Sequence, residues 1–429
     1  MRFVPMTLAM FGARRSSCAT TAHSSCALRW VGVAVRVLAV VVWLTAPAWA
    51  QRDINELRAL AETGDAGAQF NLGRLHVTGS GVAQDDAAAA RWYRRAAEQG
   101  HAGAQHSLGL RYDAGLGVSE DDIEAVDWYR RAAEQGHWEA QFRLGRMLAN
   151  ATEAERDESA AVRWFRLAAD QGHAEAQFYL GQMYYNGRGI PLDRREAARW
   201  VRRAASQGNT TAQVTLASMY ETGAGLEIDF ELAARWYRLA AVQGHPSAQV
   251  TLGYLYDGGR GVVEDDTEAV RWIRLAVDQD DAEAQFALAN MYFSGRGVRQ
   301  DMTEAIRLVT LAAEQGYIRA QFNLALSYDT GTGVPRDPVA AATWFTRAAE
   351  QGDPAAQQNL GVMYANGDGV ARDFVSAYVW LTLSASQTDG AARATSLAGR
   401  DIVEQRMTVA ERETAEERVL RRATGATRR

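Results

Sequence analysis

The hydrophobic and polar positions of this chain repeat with a period of 36 residues. A leucine stands three residues after the glutamine of a recurring Ala-Gln dipeptide, from Leu72 to Leu360. An aspartate follows that glutamine by sixteen residues, from Asp85 to Asp373. A tryptophan also recurs every 36 residues, except in one copy, where Leu308 replaces it. The glutamines are Gln69, Gln105, Gln141, Gln177, Gln213, Gln249, Gln285, Gln321 and Gln357. Nine copies without an insertion or deletion indicate an array of stacked units.

Within each unit, the apolar spacing predicts two amphipathic helices. Helix A covers about residues 66–77 of the first copy, where Ala68, Leu72 and Leu75 follow the i, i+4, i+7 spacing of a helical stripe. Small Gly73 lets a neighbouring helix approach this stripe. Helix B alternates large and small inward residues, so that aromatic rings fill the space over alanines. Its inward residues in the first copy are Ala89, Trp92, Tyr93, Ala96 and Ala97.

Turn and cap residues stand between the helices at fixed positions. Paired glycines such as Gly79 and Gly81 predict a turn with backbone angles that other residues resist, which Val82 would plug. The repeated aspartate, Asp85 in the first copy, is expected to cap helix B, and Gly100 is expected to end it. Four copies place a glutamate three residues after this aspartate, which is the spacing of a capping box: Glu124, Glu196, Glu268 and Glu304.

These residues resemble the Sel1-like repeat family, relatives of the tetratricopeptide repeats. The resemblance covers residues 65–388, and it implies an all-α, right-handed α/α superhelical solenoid of about nine 36-residue helix pairs with terminal caps. Asp280 replaces a closing glycine of the family pattern. In copy three, Ala151 and Glu153 replace the paired glycines, so we expect its turn to take another shape.

The segments that flank the repeats are expected to cover the two ends of the solenoid. Residues 51–64 are predicted to form an N-terminal capping helix, in which residues 53–63 resemble a lone helix B. Residues 389–429 are predicted to form C-terminal capping helices, and Thr408 with Glu411 would make a capping box for the last one. Such covers are expected because terminal repeats need a polar outer face.

Residues 1–50 have the composition of a targeting segment. They contain no acidic residue, and basic residues precede an apolar run over residues 37–46. The triplet Ala48-Trp49-Ala50 fits an A-x-A cleavage site and predicts a mature chain that begins at Gln51. The apolar run is too short to span a bilayer core of roughly 30 Å. We therefore expect a periplasmic or otherwise exported protein without membrane insertion after cleavage, and a translation start downstream of the first methionine stays open.

Charge and cysteine content narrow the classes of partner. All 46 basic residues are arginine, five of them lie in residues 1–50, and the remaining 41 face 52 acidic residues, which gives the mature chain a net charge of about −11. This charge argues against nucleic acid and anionic lipid as partners. Cys18 and Cys26 both precede the cleavage site, so the mature chain has no disulfide, zinc–thiolate site or cysteine nucleophile.

Several repeated polar residues resemble catalytic or metal sites but fit structural roles. Four histidines share a helix-start position, where we expect capping: His101, His137, His173 and His245. Equivalent positions of stacked helix pairs lie roughly 8–10 Å apart and cannot close on one metal ion. Acidic pairs such as Asp85-Asp86 recur at the helix B cap, and the chain has neither a phosphate loop nor a nucleophile elbow. We therefore expect no catalytic residue, no metal and no cofactor.

Two arginine series on helix B predict a solvated outer face. One series starts at Arg91 and the other at Arg94, and acidic residues that can pair with the second series follow it by four positions: Glu98, Glu134 and Asp170. Such ion pairs argue against a basic stripe for polyanions. The tryptophan and tyrosine columns fit core spacing better than a carbohydrate-stacking platform.

One strip of helix A varies between copies while its neighbours stay constant. It consists of positions 67, 71, 74 and 78 of the first copy and their equivalents, which fall within about 60° of one another on a helix, and we call it the variable strip. Drift on a solvated face would give the same variation. Two arginines beside a tyrosine and a glutamine in copies three and four favour partner contact instead. The predicted partner-binding residues are Arg143, Arg146, Tyr179, Gln182, Tyr254, Asn290 and Asn323.

The resemblance implies a non-enzymatic scaffold or adaptor that binds protein partners, with helix A lining the concave face. An acidic segment of the partner would suit Arg143 and Arg146. Two other classes stay open. One is a scaffold for polysaccharide export, which similar periplasmic repeat proteins suggest. The other is a β-lactam-binding or β-lactam-hydrolysing enzyme, although the family members linked to that activity resemble disulfide-stapled proteins and this mature chain has no cysteine.

Overall fold

The computed structural model describes residues 48–150 and 156–425, with side chains described for residues 53–150 and 156–422. The described residues form 21 α-helices and no strand. They divide into two compact units, of which unit one ends at Ala140 and unit two begins at Gln141. The altered turn expected from Ala151 and Glu153 lies outside the described residues, as does most of the predicted targeting segment.

Unit one contains a lone helix followed by two helix pairs. Its helices are α1 (Ala48–Glu62), α2 (Ala66–Thr78), α3 (Asp86–Glu98), α4 (Ala102–Asp113) and α5 (Asp122–Glu134). Each of these helices packs on its neighbour along the chain. The next helix, α6 (Trp138–Asn150), contains the division between the units. Helix α1 begins at Ala48, five residues before the segment predicted from the lone helix B pattern.

Unit two continues the same alternation and ends in two further helices. Its helices are α7 (Glu158–Asp170), α8 (Ala174–Asn186), α9 (Arg194–Ser206), α10 (Thr210–Thr222), α11 (Phe230–Val242), α12 (Pro246–Asp257), α13 (Asp266–Val277), α14 (Ala282–Ser294), α15 (Met302–Glu314), α16 (Ile318–Thr330), α17 (Pro338–Glu350), α18 (Pro354–Asn366), α19 (Phe374–Gln387), α20 (Gly390–Glu404) and α21 (Val409–Gly425). Even-numbered helices from α2 to α18 are helices A, and the helix after each is its helix B. We number the nine pairs as repeats one to nine.

Helix A packs closely on helix B because a small residue on the former faces a large one on the latter. A Cβ atom on Gly73 would lie 2.7 Å from the ring of Tyr93, and one on Gly181 would lie 2.7 Å from a methyl group of Val201. Leu72 is fully buried beside this contact, as its equivalents are in most repeats. Burying a leucine side chain contributes about 2 kcal/mol. The predicted apolar stripe of helix A is therefore confirmed.

The turn between helix A and helix B follows the prediction in repeat one. Gly79 and Gly81 have φ angles of 68° and 75°, in the left-handed region that glycine adopts without strain, and Val82 is buried. Asp85 accepts a hydrogen bond from the backbone N–H of Ala88 at 2.9 Å, so its carboxylate caps helix B. The other eight aspartates of this column cap their helices in the same way: Asp121, Asp157, Asp193, Asp229, Asp265, Asp301, Asp337 and Asp373.

The capping boxes expected in four repeats are wrong. The backbone N–H of Asp121 donates instead to the carbonyl of Tyr112 in helix A at 3.1 Å, and the equivalent bond recurs in the other three repeats. With that N–H occupied, the glutamates bond elsewhere. Glu124 accepts from the indole N–H of Trp128, and the other three pair with an arginine one turn later: Glu196 with Arg199, Glu268 with Arg271 and Glu304 with Arg307.

The second glycine of each turn also fits against the preceding helix B. A Cβ atom on Gly225 would lie 2.1 Å from the carbonyl oxygen of Arg194, and one on Gly117 would lie 2.2 Å from that of Asp86. Glycine is thus required at this position by close approach as well as by its φ angle. The turn therefore joins adjacent repeats in addition to reversing the chain.

The C-terminal helices pack on helix B of repeat nine. Tyr378, Val379 and Leu381 of α19 form a buried cluster with Val403, Met407 and Ala415. At the start of α21, the backbone N–H of Thr408 donates to Glu411 at 2.7 Å and the N–H of Glu411 donates to Thr408 Oγ1 at 3.3 Å. The capping box predicted for this helix is therefore confirmed.

Candidate protein-interaction surface

The histidine column lies at the starts of helices A, where the imidazoles act as caps. Nδ1 of His101 accepts a hydrogen bond from the N–H of Ala104 at 3.1 Å, and His137, His173 and His245 make the equivalent bond. Asn209 makes the same bond with its side-chain oxygen, at 2.8 Å from the N–H of Ala212. Within the described ranges, no group of three or more metal-ligating side chains is placed to hold a metal ion.

The glutamines of the recurring Ala-Gln dipeptides form hydrogen bonds between adjacent repeats, and we call this series the ladder. Their sequence pattern alone had not indicated this role. Gln249 is 3% exposed, and its side-chain amide donates to the carbonyl of Ala241 in the preceding helix B at 3.1 Å. Its side-chain oxygen accepts from Gln279 of its own helix B at 2.8 Å. The same two bonds connect Gln69, Gln105, Gln177, Gln213, Gln321 and Gln357 to their neighbours. The glutamine columns that contain Gln249 and Gln279 both recur every 36 residues, and this spacing could have indicated a shared structural role.

The substitution at Asp280 is accommodated by this ladder. Asp280 has a φ angle of 62°, the left-handed conformation that glycine supplies in the other repeats. Its carboxylate accepts hydrogen bonds from the side-chain amides of Gln285 at 2.7 Å and Gln315 at 3.1 Å. The aspartate therefore replaces the backbone carbonyl that a ladder glutamine otherwise contacts, which offsets the strained backbone.

The outer arginines contact partners other than those expected. Arg166 donates to the hydroxyl of Tyr184 at 2.6 Å, and Arg202 donates to Tyr220 at 2.7 Å, from helix B to the next helix A. Arg94, Arg238 and Arg274 make the same contact. The predicted pairs of Arg94 with Glu98 and of Arg166 with Asp170 are therefore wrong, because a tyrosine of the next repeat is the partner.

The variable strip is exposed where the constant positions beside it are buried. Gln182, Tyr254 and Asn290 are exposed, whereas the residues on either side of each along the chain are buried. Asn323 and Tyr179 are partly buried. This alternation follows from helical geometry, since one residue in three or four can face away from the core. The predicted residues in unit two thus lie on one line of helix faces, and their contact with a partner stays a prediction.

Aromatic rings surround the strip in repeats three and four. The Tyr179 ring lies 5.6 Å from both Phe142 and Phe165, and it is nearly parallel to the latter, with an interplanar angle of 22°. The guanidinium of Arg146 lies 5.9 Å from the centre of the Phe142 ring. Much of Tyr179 is therefore committed to packing, which leaves Gln182 as the exposed polar group of this cluster.

Nearby ionisable side chains affect the hydroxyl of Tyr254. Burial, Glu283 and Tyr317 raise the pKa of the Tyr254 hydroxyl, and Arg319 opposes this shift. Tyr317 occupies the cap position of α16 but forms no side-chain cap hydrogen bond, and its ring lies 5.4 Å from Phe286. Tyr254 therefore remains a neutral hydroxyl, able both to donate and to accept hydrogen bonds on the strip.

A surface depression of about 770 Å³ opens beside helix B of repeats six and seven. Its lining includes Arg274, Tyr292 and Asp301. Arg274 donates to the Tyr292 hydroxyl at 3.0 Å, and Asp301 accepts from the N–H of Glu304 to cap α15. Arg274 and Tyr292 are thus occupied by a contact between repeats and Asp301 by a helix cap, and these three side chains form no pair arranged for acid–base chemistry.

None of the helices in the described ranges combines the length and apolarity needed to cross a bilayer. A search of the curated proteins returned no significant match.

Two solved structures share the fold over most of this chain. One is a protective antigen of uropathogenic Escherichia coli that displays an SLR fold; it is 32% identical, covers 86% of this chain and 94% of its own, and has a TM-score of 0.52. The other is a Sel1 repeat protein from Oxalobacter formigenes, with 33% identity, coverage of 82% and 90%, and a TM-score of 0.51.

The Sel1 repeat model matches nine consecutive segments of 36 residues. These segments are 66–101, 102–137, 138–173, 174–209, 210–245, 246–281, 282–317, 318–353 and 354–389. Their register agrees with the helix pairs and with the ladder of buried glutamines. Together with the two similar structures, this match shows that the chain belongs to the Sel1 repeat family and is an α-solenoid of helix pairs.

Proposed function

We propose that this chain is an exported, non-enzymatic scaffold of the cell envelope that binds a protein partner along its variable strip. Sel1 repeat proteins generally mediate protein–protein interactions. The observation that carries the proposal is the exposure of residues such as Gln182, Tyr254 and Asn290 between buried neighbours. These residues differ from repeat to repeat while the core and the ladder stay constant, so the strip can present a different contact in each repeat.

The binding part of the proposal is tested with a strip variant and an outer-face control. The variant replaces Gln182, Tyr254 and Asn290 with alanine, and the control replaces the exposed helix B residues Arg163, Arg235 and Glu350 with alanine. Immobilised chains are exposed to envelope extract, and captured proteins are compared by quantitative mass spectrometry. We expect the strip variant to lose the captured partner and the control to retain it, with similar thermal unfolding. Equal capture by both variants would contradict the proposal.

Export rests on the basic, apolar and small-residue order of residues 1–50. The similar Escherichia coli protein is described as a protective antigen, which fits a protein that leaves the cytoplasm. Intact-mass measurement of the chain from the periplasmic fraction should give a species that begins at Gln51 and contains no thiol. A membrane-bound species that retains residues 37–50 would refute a cleaved signal peptide.

A further inference from the structure

Three arginines of unit two reach a carboxylate of the preceding repeat. Arg188 lies 2.8 Å from Glu158, Arg260 lies 3.2 Å from Glu221, and Arg296 also pairs with Asp257. In each case a carboxylate of the protein itself pairs with the positive charge of the arginine. Other arginines of this unit, such as Arg163 and Arg235, are exposed to solvent instead.

Arg143 and Arg146 on helix A of repeat three belong to neither group. Both are partly buried, and neither has an ion-pair partner among the described residues. The Nε atom of each is buried without a hydrogen-bond partner in the same part of the chain. An unsatisfied buried N–H costs roughly 1–3 kcal/mol, so two of them reduce the stability of the free protein. Folding alone therefore gives no reason for both residues.

The surroundings hold the two side chains in place. Arg146 lies over the Phe142 ring, and Phe142 in turn packs against Tyr179. Arg143 and Arg146 are three residues apart on one helix, so they face the same side. Side chains held by packing lose less conformational entropy when a ligand binds, so the terminal N–H groups of both guanidiniums are preorganised donors.

Positive charge on the strip of unit two consists of this pair and of Arg319 in repeat eight, at the position equivalent to 67. At the positions equivalent to 71 and 74 of the first copy, repeats four to nine carry no charged residue, from Tyr179 to Val362. Repeat three is therefore where a partner that contacts the strip meets two adjacent positive charges. The net charge of about −11 on residues 51–429, from 41 arginines and 52 acidic residues, disfavours a long polyanion such as a nucleic acid.

We propose that Arg143 and Arg146 recognise a short acidic stretch of the protein partner, whose carboxylates accept hydrogen bonds from the two guanidinium groups. This inference rests on the proposed function and specifies the chemistry of the partner at one end of the strip. A guanidinium matches a carboxylate in geometry and can donate two parallel hydrogen bonds to it. The uncharged remainder of the partner segment lies toward Gln182 and the later repeats.

The test measures fluorescence anisotropy of labelled twelve-residue peptides against the full chain. One peptide carries four glutamates between glycine and serine residues, and its match carries four glutamines. We expect the glutamate peptide to bind at least ten-fold more tightly. The variant Arg143→Gln/Arg146→Gln should lose at least ten-fold in affinity for it. The control Arg163→Gln/Arg235→Gln removes the same charge from exposed helix B positions and should change affinity less than two-fold.

Three results would overturn the inference: no binding of the glutamate peptide, equal binding by the Arg143→Gln/Arg146→Gln variant, or equal losses in both variants. A deoxythymidine dodecamer that binds more tightly with the same arginine dependence would identify a polyanion site instead. Thermal unfolding supplies an independent readout, because a binding role predicts an unchanged or raised Tm for Arg143→Gln/Arg146→Gln, whereas a structural role predicts a lower one. If this variant still captures the partner that the strip variant loses, the scaffold proposal stands and acidic recognition fails.

Discussion

At the scale of single residues, buried polar groups specify how the repeats stack. Ladder glutamines such as Gln249 donate to the preceding helix B and accept from a glutamine just after their own helix B, so one side chain connects two adjacent repeats. A buried hydrogen bond contributes only about 1 kcal/mol, but a partner left unsatisfied costs more. The ladder therefore selects one register of stacking in addition to stabilising it.

Replacing Gln249 with leucine should destabilise the protein by about 1–2 kcal/mol, because the carbonyl of Ala241 keeps its bond from the N–H of Gly244 but loses that from Gln249, and Gln279 loses one of its two acceptors. The matched control is Gln182→Leu, which changes an exposed glutamine and should stay within about 0.5 kcal/mol. Urea unfolding followed by circular dichroism compares the two variants. Equal midpoints would show that the ladder does not stabilise the stack.

A second residue-scale prediction concerns pH. Burial lowers the pKa of His137 below its usual value, although Glu139 opposes the shift, and the capping bond from Ala140 requires an unprotonated Nδ1. The folded state therefore binds a proton less readily than the unfolded state, so the free energy of unfolding falls as the pH drops below about 6.5.

The variant His137→Asn should retain more of its pH 7.5 stability at pH 5, because an asparagine caps without titrating, as Asn209 does. The reciprocal variant Asn209→His should lose stability over the same interval. Urea unfolding at several pH values between 5 and 7.5 measures both effects. Parallel pH profiles for the wild type and His137→Asn would contradict the assignment.

The sequence predicted the role of a residue well where its hydrogen-bond partner is only a few residues away along the chain. Asp85 and His101 cap a backbone N–H three residues ahead, and spacing alone indicates such bonds. The capping box at Glu124 failed because the cap's own N–H bonds to the carbonyl of Tyr112 in helix A. The arginine–tyrosine contacts span eighteen residues and cross from one repeat to the next, so helix periodicity does not show them. The arginine pair of the candidate site was visible in the sequence, but its missing partners were not.

At the scale of elements, helix packing and turn geometry depend on the same glycines. The paired glycines predicted a turn, and the structure adds that the second one touches the preceding helix B. The helices themselves were predictable because their stripe and their caps recur in nine copies. The aromatic packing of Tyr179 was not, because it depends on rings in neighbouring helices.

Replacing Gly225 with alanine should separate close approach from backbone strain. Gly225 and Gly208 both have positive φ angles, of 80° and 90°, so alanine is strained at either position. A Cβ atom on Gly225 would also lie 2.1 Å from the Arg194 carbonyl, whereas one on Gly208 meets nothing within 4 Å.

We expect Gly225→Ala to cost about 1–3 kcal/mol more than Gly208→Ala, because the turn must move away from helix B of repeat four. Thermal unfolding ranks the two variants, and hydrogen exchange at residues 194–225 shows whether the loss is local. Equal losses would mean that only the φ angle requires glycine at Gly225.

At the scale of the whole molecule, the repeats supply a constant frame and a variable surface. Capping aspartates, buried leucines and ladder glutamines recur from repeat to repeat, while strip residues such as Gln182 and Asn290 do not. Stability of such an array is approximately a sum over repeats and their nearest-neighbour contacts. The residues of the strip can therefore change from repeat to repeat without altering the stacking.

Removal of one whole repeat should leave a folded protein, because the ladder and cap contacts of repeats four, five and six are periodic. Deleting residues 209–244 joins Gly208 to His245, and His245 caps its helix as Asn209 does. Gln249 then replaces Gln213 opposite the carbonyl of Ala205, which restores the ladder. Deleting residues 227–244 instead removes helix B of repeat five and leaves α10 without the helix on which it packs. Circular dichroism and urea unfolding should show a cooperative, fully helical protein for the first deletion and a broad, weakened transition for the second. Similar losses from both deletions would show that the repeat is not the unit of stability.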